Sequence, residues 1–497
     1  MYVNYTVNLG WSNVTIISDD ETSWNNGFSE YPSIAVDNSG NVHVVWADSS
    51  NGDYEIMHTN YTEGIGWSNP TIISGSTTGG VLPDIITDNS GLLHVVWNAW
   101  GTGDREIWYT NYNESLGWST PIAISDDGTG WNDGDSRGAK IVADNTGKLH
   151  VVWYDDTDGP WSWDSDIWYT SNDGSGWLNG ALISDDNTNW NDGDSYTPSI
   201  AVDSSGNVHV VWDDETVGPW NIDMSDTEIM YAKYTEGVGW SNATVISDDE
   251  TLWNNGASYA ATMTIDNFDN VHVVWEDETE GAWGGGIDHE VMLITYSGSG
   301  WSNVTIISDD ESLWNDGYSA FPEIFADDLG YIHVLWEDGT EGDWGIDAEL
   351  MYTNLIFDNI LPVLDHPYDV IYEDGMLGKS INWTVTDLHP YNYTIYRDGV
   401  FIDNGTWKSG ISINISVGGL PIDDYVYTIF VHDITGNNVS DSVNVLVLSP
   451  VAPSLDHPDD IEYEQGLTGN ILSWIATDVN PYNYTILRDD NGVDNGT

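Results

Sequence analysis

The chain has 497 residues, with 82 acidic side chains against only 9 Lys and Arg, a formal net charge of −73 and no cysteine. This charge excludes nucleic acid and anionic membrane surfaces as partners, because both are bound through concentrations of Lys and Arg. The lack of cysteine excludes disulfides and thiolate metal sites. No apolar run is long enough to cross a bilayer, so we expect no membrane insertion within this segment.

A repeat runs through the first two thirds of the chain. The segment His-Val-Val-Trp, or a close variant, recurs at intervals of 51 to 63 residues and begins at His43, His94, His150, His209, His272 and His333. Each period holds four short runs rich in β-branched and aromatic residues, such as 198–202, 207–212, 228–234 and 243–247. The pattern predicts an all-β fold, with a six-bladed β-propeller of four-stranded antiparallel blades over residues 1–356.

The connections between these strands differ in length. Short turns such as Asp203-Ser-Ser-Gly206 join the first and second strands, whereas long loops follow the second and fourth strands. Because antiparallel strands reverse direction at each turn, the long loops should all emerge on one face. We expect Val14–Ser18 to serve as the fourth strand of the last blade and to close the ring. The six recurring His and Trp residues are expected to be buried in the blades, with the His side chains hydrogen-bonded.

Five of the long loops begin with Ser-Asp-Asp and carry a Trp-Asn segment. Ca²⁺ prefers oxygen ligands of this kind, and the candidate metal ligands are Asp19, Asp20, Asp126, Asp127, Asp185, Asp186, Asp248, Asp249, Asp309 and Asp310. Alternatively, these side chains only cap turns. The candidate ligand-binding residues are Trp24, Trp131, Trp190, Trp253 and Trp314, which could stack on sugars or pin the loops against the disc. The second unit has Ser74-Gly-Ser-Thr-Thr-Gly-Gly80 instead, so a ring of equivalent sites should have a gap there.

A different repeat begins near Leu361. Asp365-His-Pro367, Trp383 and Arg397 recur 91 residues later as Asp456-His-Pro458, Trp474 and Arg488. Alternating strand patterns around a central Trp predict an immunoglobulin-like β-sandwich at residues 357–450. The second copy lacks counterparts of 407–450, which predicts an incomplete module at 451–497.

The segment Tyr169-Thr-Ser-Asn-Asp-Gly-Ser-Gly-Trp177 resembles the Asp-box, Ser-X-Asp-X-Gly-X-X-Trp, of sialidase-type (BNR-like) β-propellers, although it is one residue short. The Asp-box is a folding motif in that family, so the resemblance implies fold and not activity. The tail is similar to the Ig-like repeats of large archaeal surface proteins, through its His-Pro, Trp-Thr-Val-Thr-Asp and Tyr-Arg-Asp-Gly elements.

The sequence disfavours an enzyme without excluding one. Sialidases hold the substrate carboxylate with an arginine triad, whereas the predicted propeller has only Arg105 and Arg137. A glycoside-acting enzyme of another type needs two carboxylates, and the repeated acids single out no pair. We therefore expect a non-enzymatic propeller that binds divalent cations, and glycans or other surface proteins, on its acidic face, as an adhesion or scaffold module. A purely structural surface-layer component is a third alternative.

The chain is expected to be extracellular or on the cell surface. Thirteen Asn-X-Ser/Thr sequons fit an exported glycoprotein, and the candidate glycosylation sites are Asn13, Asn60, Asn242, Asn303, Asn382, Asn392, Asn404, Asn414 and Asn438. Ca²⁺ is the candidate cofactor, and no organic cofactor is expected. A high-salt habitat is the competing explanation for the acidity.

Overall fold

The computed structural model describes residues 1–6, 10–18, 27–101, 103–125, 134–157, 164–184, 193–215, 227–247, 256–278, 289–308, 318–339, 348–358, 360–478, 483–488 and 491–496. It confirms the all-β class, because every regular element of these residues is a strand. None of the described segments forms an apolar helix of membrane-spanning length. The chain divides into two compact units, Met1–Ile356 and Phe357–Thr497.

Among the described residues, the first unit contains six antiparallel sheets of three to five strands, in which consecutive strands are neighbours, and one two-stranded N-terminal sheet. Sheet 1 consists of Ser29–Val36, Val42–Asp48, Glu55–Thr62, Gly66–Trp67 and Thr71–Ile72. Sheet 2 consists of Thr78–Thr87, Leu93–Trp100, Arg105–Asn113, Gly117–Trp118 and Ile122–Ala123. Sheet 3 consists of Ser136–Ala143, Leu149–Asp155, Asp166–Asn172 and Ala181–Leu182.

The remaining three sheets repeat this order. Sheet 4 consists of Ser195–Val202, Val208–Asp214, Glu228–Thr235, Gly239–Trp240 and Thr244–Val245. Sheet 5 consists of Ser258–Ile265, Val271–Asp277, Glu290–Tyr296 and Thr305–Ile306. Sheet 6 has the three strands Ser319–Ala326, Tyr331–Asp338 and Glu349–Ile356. In each sheet the two short pieces, where both occur, together form the fourth strand. These are antiparallel sheets of the kind that form propeller blades.

Neighbouring sheets pack through apolar side chains. The first strand of each of sheets 2 to 6 lies against the sheet that precedes it in the chain. Between sheets 1 and 2, for example, Val45 and Ile56 pack against Ile85 and Trp97. The six recurrent Trp residues are all buried, as predicted. Burial of these large side chains stabilises the stack of sheets.

Every first strand carries a β-bulge next to a residue with positive φ. The residues are equivalent in the six sheets, with φ between 46° and 63°: Tyr31, Leu82, Gly138, Thr197, Ala260 and Phe321. Only one of them is glycine, although a positive φ is unfavourable for residues with a Cβ. In sheets 5 and 6, backbone amides at the bulge donate hydrogen bonds to acidic side chains of the preceding sheet.

The predicted closing strand is wrong. Thr15 pairs with Tyr2, and Tyr5–Thr6 pairs with Gly10–Trp11, so residues 1–6 and 10–18 pair with each other as a hairpin. No described residue of Val14–Ser18 pairs with the last strand of sheet 6. If Val14–Ser18 paired with sheet 6, the backbone hydrogen bonds between Tyr2 and Thr15 would have to break.

The second unit contains two facing sheets. The three-stranded sheet has Val363–Leu364, Ser380–Thr386 and Ser412–Ser416. The five-stranded sheet has Val370–Glu373, Pro390–Arg397, Val400–Thr406, Asp424–Asp433 and Asn438–Leu448. Their shared core includes Trp383, Tyr427 and Trp407. Two small pairs follow: Ser454–Leu455 with Ala476–Thr477, and Tyr484–Arg488 with Asn491–Gly496.

Candidate functional site

The second strands end at the side of the sheets from which the long loops leave, which we call the loop-bearing end. In five sheets an Asp two residues after the recurrent Trp accepts a hydrogen bond from the indole. The pairs are Trp46–Asp48 (3.1 Å), Trp153–Asp155 (3.3 Å), Trp212–Asp214 (2.9 Å), Trp275–Asp277 (3.0 Å) and Trp336–Asp338 (3.1 Å). Each Asp also accepts a bond from a Ser hydroxyl on the first strand, as Ser195 does to Asp214 at 2.9 Å. These buried carboxylates therefore tie the first two strands together where the loops begin.

A second anchor holds the start of the Ser-Asp-Asp loops. The Ser247 hydroxyl accepts a bond from the Ile229 amide at 2.9 Å and donates to the Glu228 carboxylate at 2.5 Å. The same arrangement recurs at Ser125 with Glu106, Ser184 with Asp166, and Ser308 with Glu290. The serine that opens each of these four loops is thus fixed by the third strand.

The residues that the sequence singled out for cations and ligands lie outside the described residues. They are Asp19, Asp20, Asp126, Asp127, Asp185, Asp186, Asp248, Asp249, Asp309 and Asp310, together with Trp24, Trp131, Trp190, Trp253 and Trp314. Their roles stay predictions.

Sheet 2 departs from this scheme. Ala99 stands where the other sheets have the Asp, and the buried Nε1 of Trp97 has no hydrogen-bond partner among the described residues. The preceding loop is the Ser74-to-Gly80 segment that lacks the acidic sequence. In the place of the predicted gap lies a cavity of about 340 Å³ lined by Ser76, Thr77, Thr78, Trp100, Gly101, Glu106, Trp108 and Ala123.

The cavity combines aromatic and polar surfaces. The Trp100 side chain is 47% exposed, and the Arg105 guanidinium lies over its ring, 4.8 Å from the centroid. Glu106 forms part of the wall and accepts a 2.6 Å bond from Ser125. The indole Nε1 of Trp108 is buried without a partner among the described residues. An aromatic wall with a few fixed polar groups is typical of small-molecule sites.

A buried carboxylate pair lies between sheets 4, 5 and 6. Asp213 accepts bonds from the Ala260 and Ala261 amides of the sheet 5 bulge, at 3.0 and 3.4 Å, and from the Thr197 hydroxyl. Burial, together with the charge of Glu276, raises its pKa to about 6. Glu276 accepts a 3.3 Å bond from the Phe321 amide.

A histidine joins this pair, since the Nδ1 of His289 is hydrogen-bonded to Glu276 and its Nε2 lies 3.3 Å from Glu278. These residues were not among the predicted sites, because the acids after the recurrent Trp look like the first residues of the acidic loops that follow them. The structure places Asp213 and Glu276 within strands, facing the next sheet. The available signal was that only sheets 4, 5 and 6 have an acid immediately after the Trp.

The recurring His residues lie at the opposite end and are structural, as predicted. In sheet 4 the Nε2 of His209 is 3.3 Å from the Asp203 carboxylate, and its Nδ1 is 2.8 Å from the Tyr231 hydroxyl. Burial lowers the pKa of His209 to about 4, so the ring is neutral near pH 7. Five of the six are buried and His333 is half-buried. Each His bonds within its own sheet, so they do not converge on one metal.

The second unit holds a cluster of possible metal ligands. The Asp358 carboxylate lies 2.8 Å from the Nδ1 of His389, and both side chains are buried. Asp387 is close enough to share an ion with them. Burial raises the pKa of Asp387, and the charges of Asp358 and Asp433 add to the effect. The geometry would suit a divalent cation, but hydrogen bonds within the cluster also account for it.

The candidate glycosylation residues are accessible. Asn60 and Asn392 are half-buried, whereas the remaining seven are exposed: Asn13, Asn242, Asn303, Asn382, Asn404, Asn414 and Asn438. Accessibility permits modification but does not test it.

No family model and no curated protein matches the sequence. Among solved structures, a protein of unknown function from Dyadobacter fermentans is similar at 12% identity with a TM-score of 0.45, over 66% of this chain and 95% of that one. The Penicillium chrysogenum alpha-L-arabinanase complexed with arabinobiose matches at 12% identity and 0.44, over 67% and 94%. The intramolecular trans-sialidase from Ruminococcus gnavus matches at 10% identity and 0.42, over 69% and 96%. Such identities and TM-scores show neither a family nor an activity for this chain.

Proposed function

We propose that the chain is a non-enzymatic carbohydrate-binding module of a cell surface or secreted protein. In this proposal the six sheets are propeller blades that bind glycans at the loop-bearing end, and the sandwich of the second unit is an immunoglobulin-like spacer. The observation that carries it is the sheet 2 cavity, where Trp100 is exposed beside hydroxyls and a carboxylate. Indole faces pack against the apolar faces of sugar rings, while carboxylate and hydroxyl oxygens accept bonds from sugar hydroxyls.

The charge of the chain limits the class of glycan that it can bind. With a formal net charge of −73, the protein repels anionic glycans at low ionic strength. The only guanidinium beside the cavity, among the described residues, is Arg105, and it already covers the Trp100 ring. We therefore propose neutral oligosaccharides as the ligand class.

The test is binding of the full chain to an array of neutral and sialylated glycans, followed by calorimetry on any hit. Trp100→Ala should weaken binding at least tenfold, because it removes the stacking surface. The matched control is Tyr368→Ala, which removes a fully exposed aromatic ring from the second unit and should leave the affinity unchanged. Equal binding by the two variants, or preference for sialylated glycans, would contradict the proposal.

Calcium binding by the Ser-Asp-Asp loops belongs to the same proposal. It is supported by the fixed serine at the start of four of these loops and by the excess of carboxylates. Millimolar Ca²⁺ should raise the melting temperature more than Na⁺ at equal ionic strength. Equal shifts would leave charge screening as the whole effect.

A glycoside-acting enzyme is the second candidate, because Asp213 and Glu276 form a carboxylate pair with one raised pKa. Asp213 is only 6% exposed and three donors already occupy its oxygens, so it is a poor proton donor to a bound sugar. Arg137 is bound to Asp135 and Asp156, which removes it from carboxylate recognition. Glycan hydrolysis by the purified chain that Asp213→Asn abolishes would favour the enzyme.

A further inference from the structure

The outer face of the five-stranded sheet in the second unit carries a neutral aromatic patch. Phe430 lies at its centre and is 39% exposed, Tyr396 meets it edge-on with ring centroids 5.8 Å apart, and Phe401 meets Tyr396 at 6.3 Å. A groove of about 500 Å³ runs along the patch, lined by Thr394, Tyr396, Gly399, Thr428, Phe430 and His432. None of these is Asp, Glu, Lys or Arg, although the chain has a net charge of −73. A contiguous exposed patch of this kind marks a surface that another molecule or group covers.

Two candidate glycosylation residues flank Phe430. Asn392 and Asn438 both pair with His432, from the strands on either side of it. Since Phe430 lies two residues from His432 on the same face of its strand, each asparagine is a diagonal neighbour of Phe430, about 7–8 Å away. Sugars linked to either asparagine therefore start within reach of the Phe430 ring.

The third glycosylation candidate of this sheet borders the other end of the patch. Asn404 pairs with Thr394 on the neighbouring strand, and Tyr396 lies on the same face as Thr394 because alternate residues of a strand share a face. The hydroxyl residues that complete the three sequons lie on this face for the same reason: Thr394, Thr406 and Ser440. The three candidates of the five-stranded sheet thus lie on one side of it and surround the patch.

The side-chain amides of these three residues are available for modification. Among the described residues, no hydrogen bond holds the side-chain amide of Asn392 or Asn404, and that of Asn438 makes only a 3.5 Å contact with a backbone carbonyl. The three-stranded sheet differs, because Asn382 and Asn414 lie directly opposite each other there and their side-chain amides are hydrogen-bonded. An N-linked sugar is attached at the side-chain Nδ2, so the five-stranded sheet presents the freer attachment points.

We propose that N-linked glycans of this chain itself cover the patch, with the sugars on Asn392 and Asn438 stacked on Phe430 and the sugar on Asn404 beside Tyr396. The apolar C–H face of a sugar ring packs on an aromatic ring, and the Ser and Thr hydroxyls around the patch suit sugar hydroxyls. Attachment favours this occupant over a free ligand, because the contact becomes intramolecular and the effective concentration of the sugar is high. Such glycans require an exported chain, as the proposed function does, but they do not require the first unit to bind glycans.

The test uses the full chain secreted from eukaryotic cells, which attach high-mannose N-glycans, and peptide mapping should find a glycan at all three sites. Peptide-N-glycosidase should remove the glycans of Asn392 and Asn438 about threefold faster or more from the folded Phe430→Ala variant than from the original chain, because the ring no longer holds the sugars. The glycan of Asn242, an exposed residue of the first unit, is the internal control and should leave at the same rate in both proteins. The matched variant is Val426→Ala, which removes an exposed apolar side chain from the same face of the same strand, away from the three sequons, and should change no rate.

Four results would overturn the proposal. Empty sequons at Asn392 and Asn438 beside an occupied Asn242 would show that this face is not modified. An unchanged release rate in Phe430→Ala would show that the sugars do not contact the ring, and an equal increase in Val426→Ala would assign the effect to opening of the sheet. Sedimentation of the chain as a dimer that Phe430→Ala dissociates would make a second copy the occupant. None of these measurements involves the sheet 2 cavity, so a negative glycan array would leave them unaffected.

Discussion

Asp213 should make the protein less stable at neutral pH than at mildly acidic pH. Its folded-state pKa is raised from 3.8 to about 6, mainly by burial. A raised pKa means that the folded protein holds this proton more tightly than the unfolded chain. The contribution of Asp213 to the free energy of unfolding therefore falls as the pH rises from about 4 to about 6 and stays constant above. A shift of about two pH units corresponds to about 3 kcal/mol at most.

Replacing Asp213 by Asn removes the charge and keeps an oxygen for the Ala260 amide. At pH 8 the free energy of unfolding of the variant should exceed that of the original chain by up to about 3 kcal/mol. The loss of the 3.4 Å hydrogen bond from the Ala261 amide reduces this difference. At pH 4 the two proteins should differ little. The assay is urea unfolding of both proteins, followed by tryptophan fluorescence, at several pH values between 4 and 8.

The matched control is Asp266→Asn in sheet 5. Burial raises the pKa of Asp266, but bonds from His272 and Asn270 outweigh that effect and lower it. A carboxyl with a lowered pKa stabilises the folded protein at pH values above the ordinary pKa of Asp. This stabilisation is lost as the pH falls through the pKa of the folded state. Asp266→Asn should therefore destabilise the protein by a similar amount at every pH between 4 and 8, because the contribution of Asp266 is lost only below the ordinary pKa of Asp. A pH-independent difference for Asp213→Asn would refute the reasoning.

Two further predictions concern hydrogen bonds in the sheets. Trp275→Phe should lower the free energy of unfolding in urea by about 1–3 kcal/mol more than Trp97→Phe, because only Trp275 donates its indole N–H to a buried Asp. Equal decreases in the two variants would mean that the Trp–Asp hydrogen bond contributes nothing to stability. His209, whose pKa burial lowers to about 4, should reduce the free energy of unfolding as the pH falls from about 6.5 to about 4, since only the unfolded chain takes up the proton. A His209→Asn variant should show a shallower pH dependence over that window, and an unchanged slope would contradict the pKa.

The repeated elements could be predicted from the sequence because the same residues recur in each sheet at regular intervals. Strands alternate around His-Val-Val-Trp, and the Asp-X-X-Gly turns carry the side chain that the His requires, as Asp203 and His209 show. The missing acidic loop before sheet 2 predicted only that a ring of acidic sites would lack a member there; the cavity lined by Trp100 was not predicted. Features that occur only once in the chain have no such recurring pattern. Asp213 looked like a loop residue because its role depends on the bulge of the next sheet, and the pairing of Thr15 with Tyr2 depends on a choice between two edges of similar sequence.

Edge-on contacts between Tyr and Trp rings of neighbouring sheets, such as Tyr169–Trp240 with centroids 5.1 Å apart, should give the first unit a near-ultraviolet circular dichroism signal. They occur between sheets and not within them, so the fixed orientation of these rings depends on how the sheets stack. A chain that kept its strands but loosened its stacking would lose the near-ultraviolet circular dichroism of these rings while the far-ultraviolet signal persisted. Melting followed at both wavelengths would thus separate the loss of stacking between the sheets from the melting of the sheets themselves.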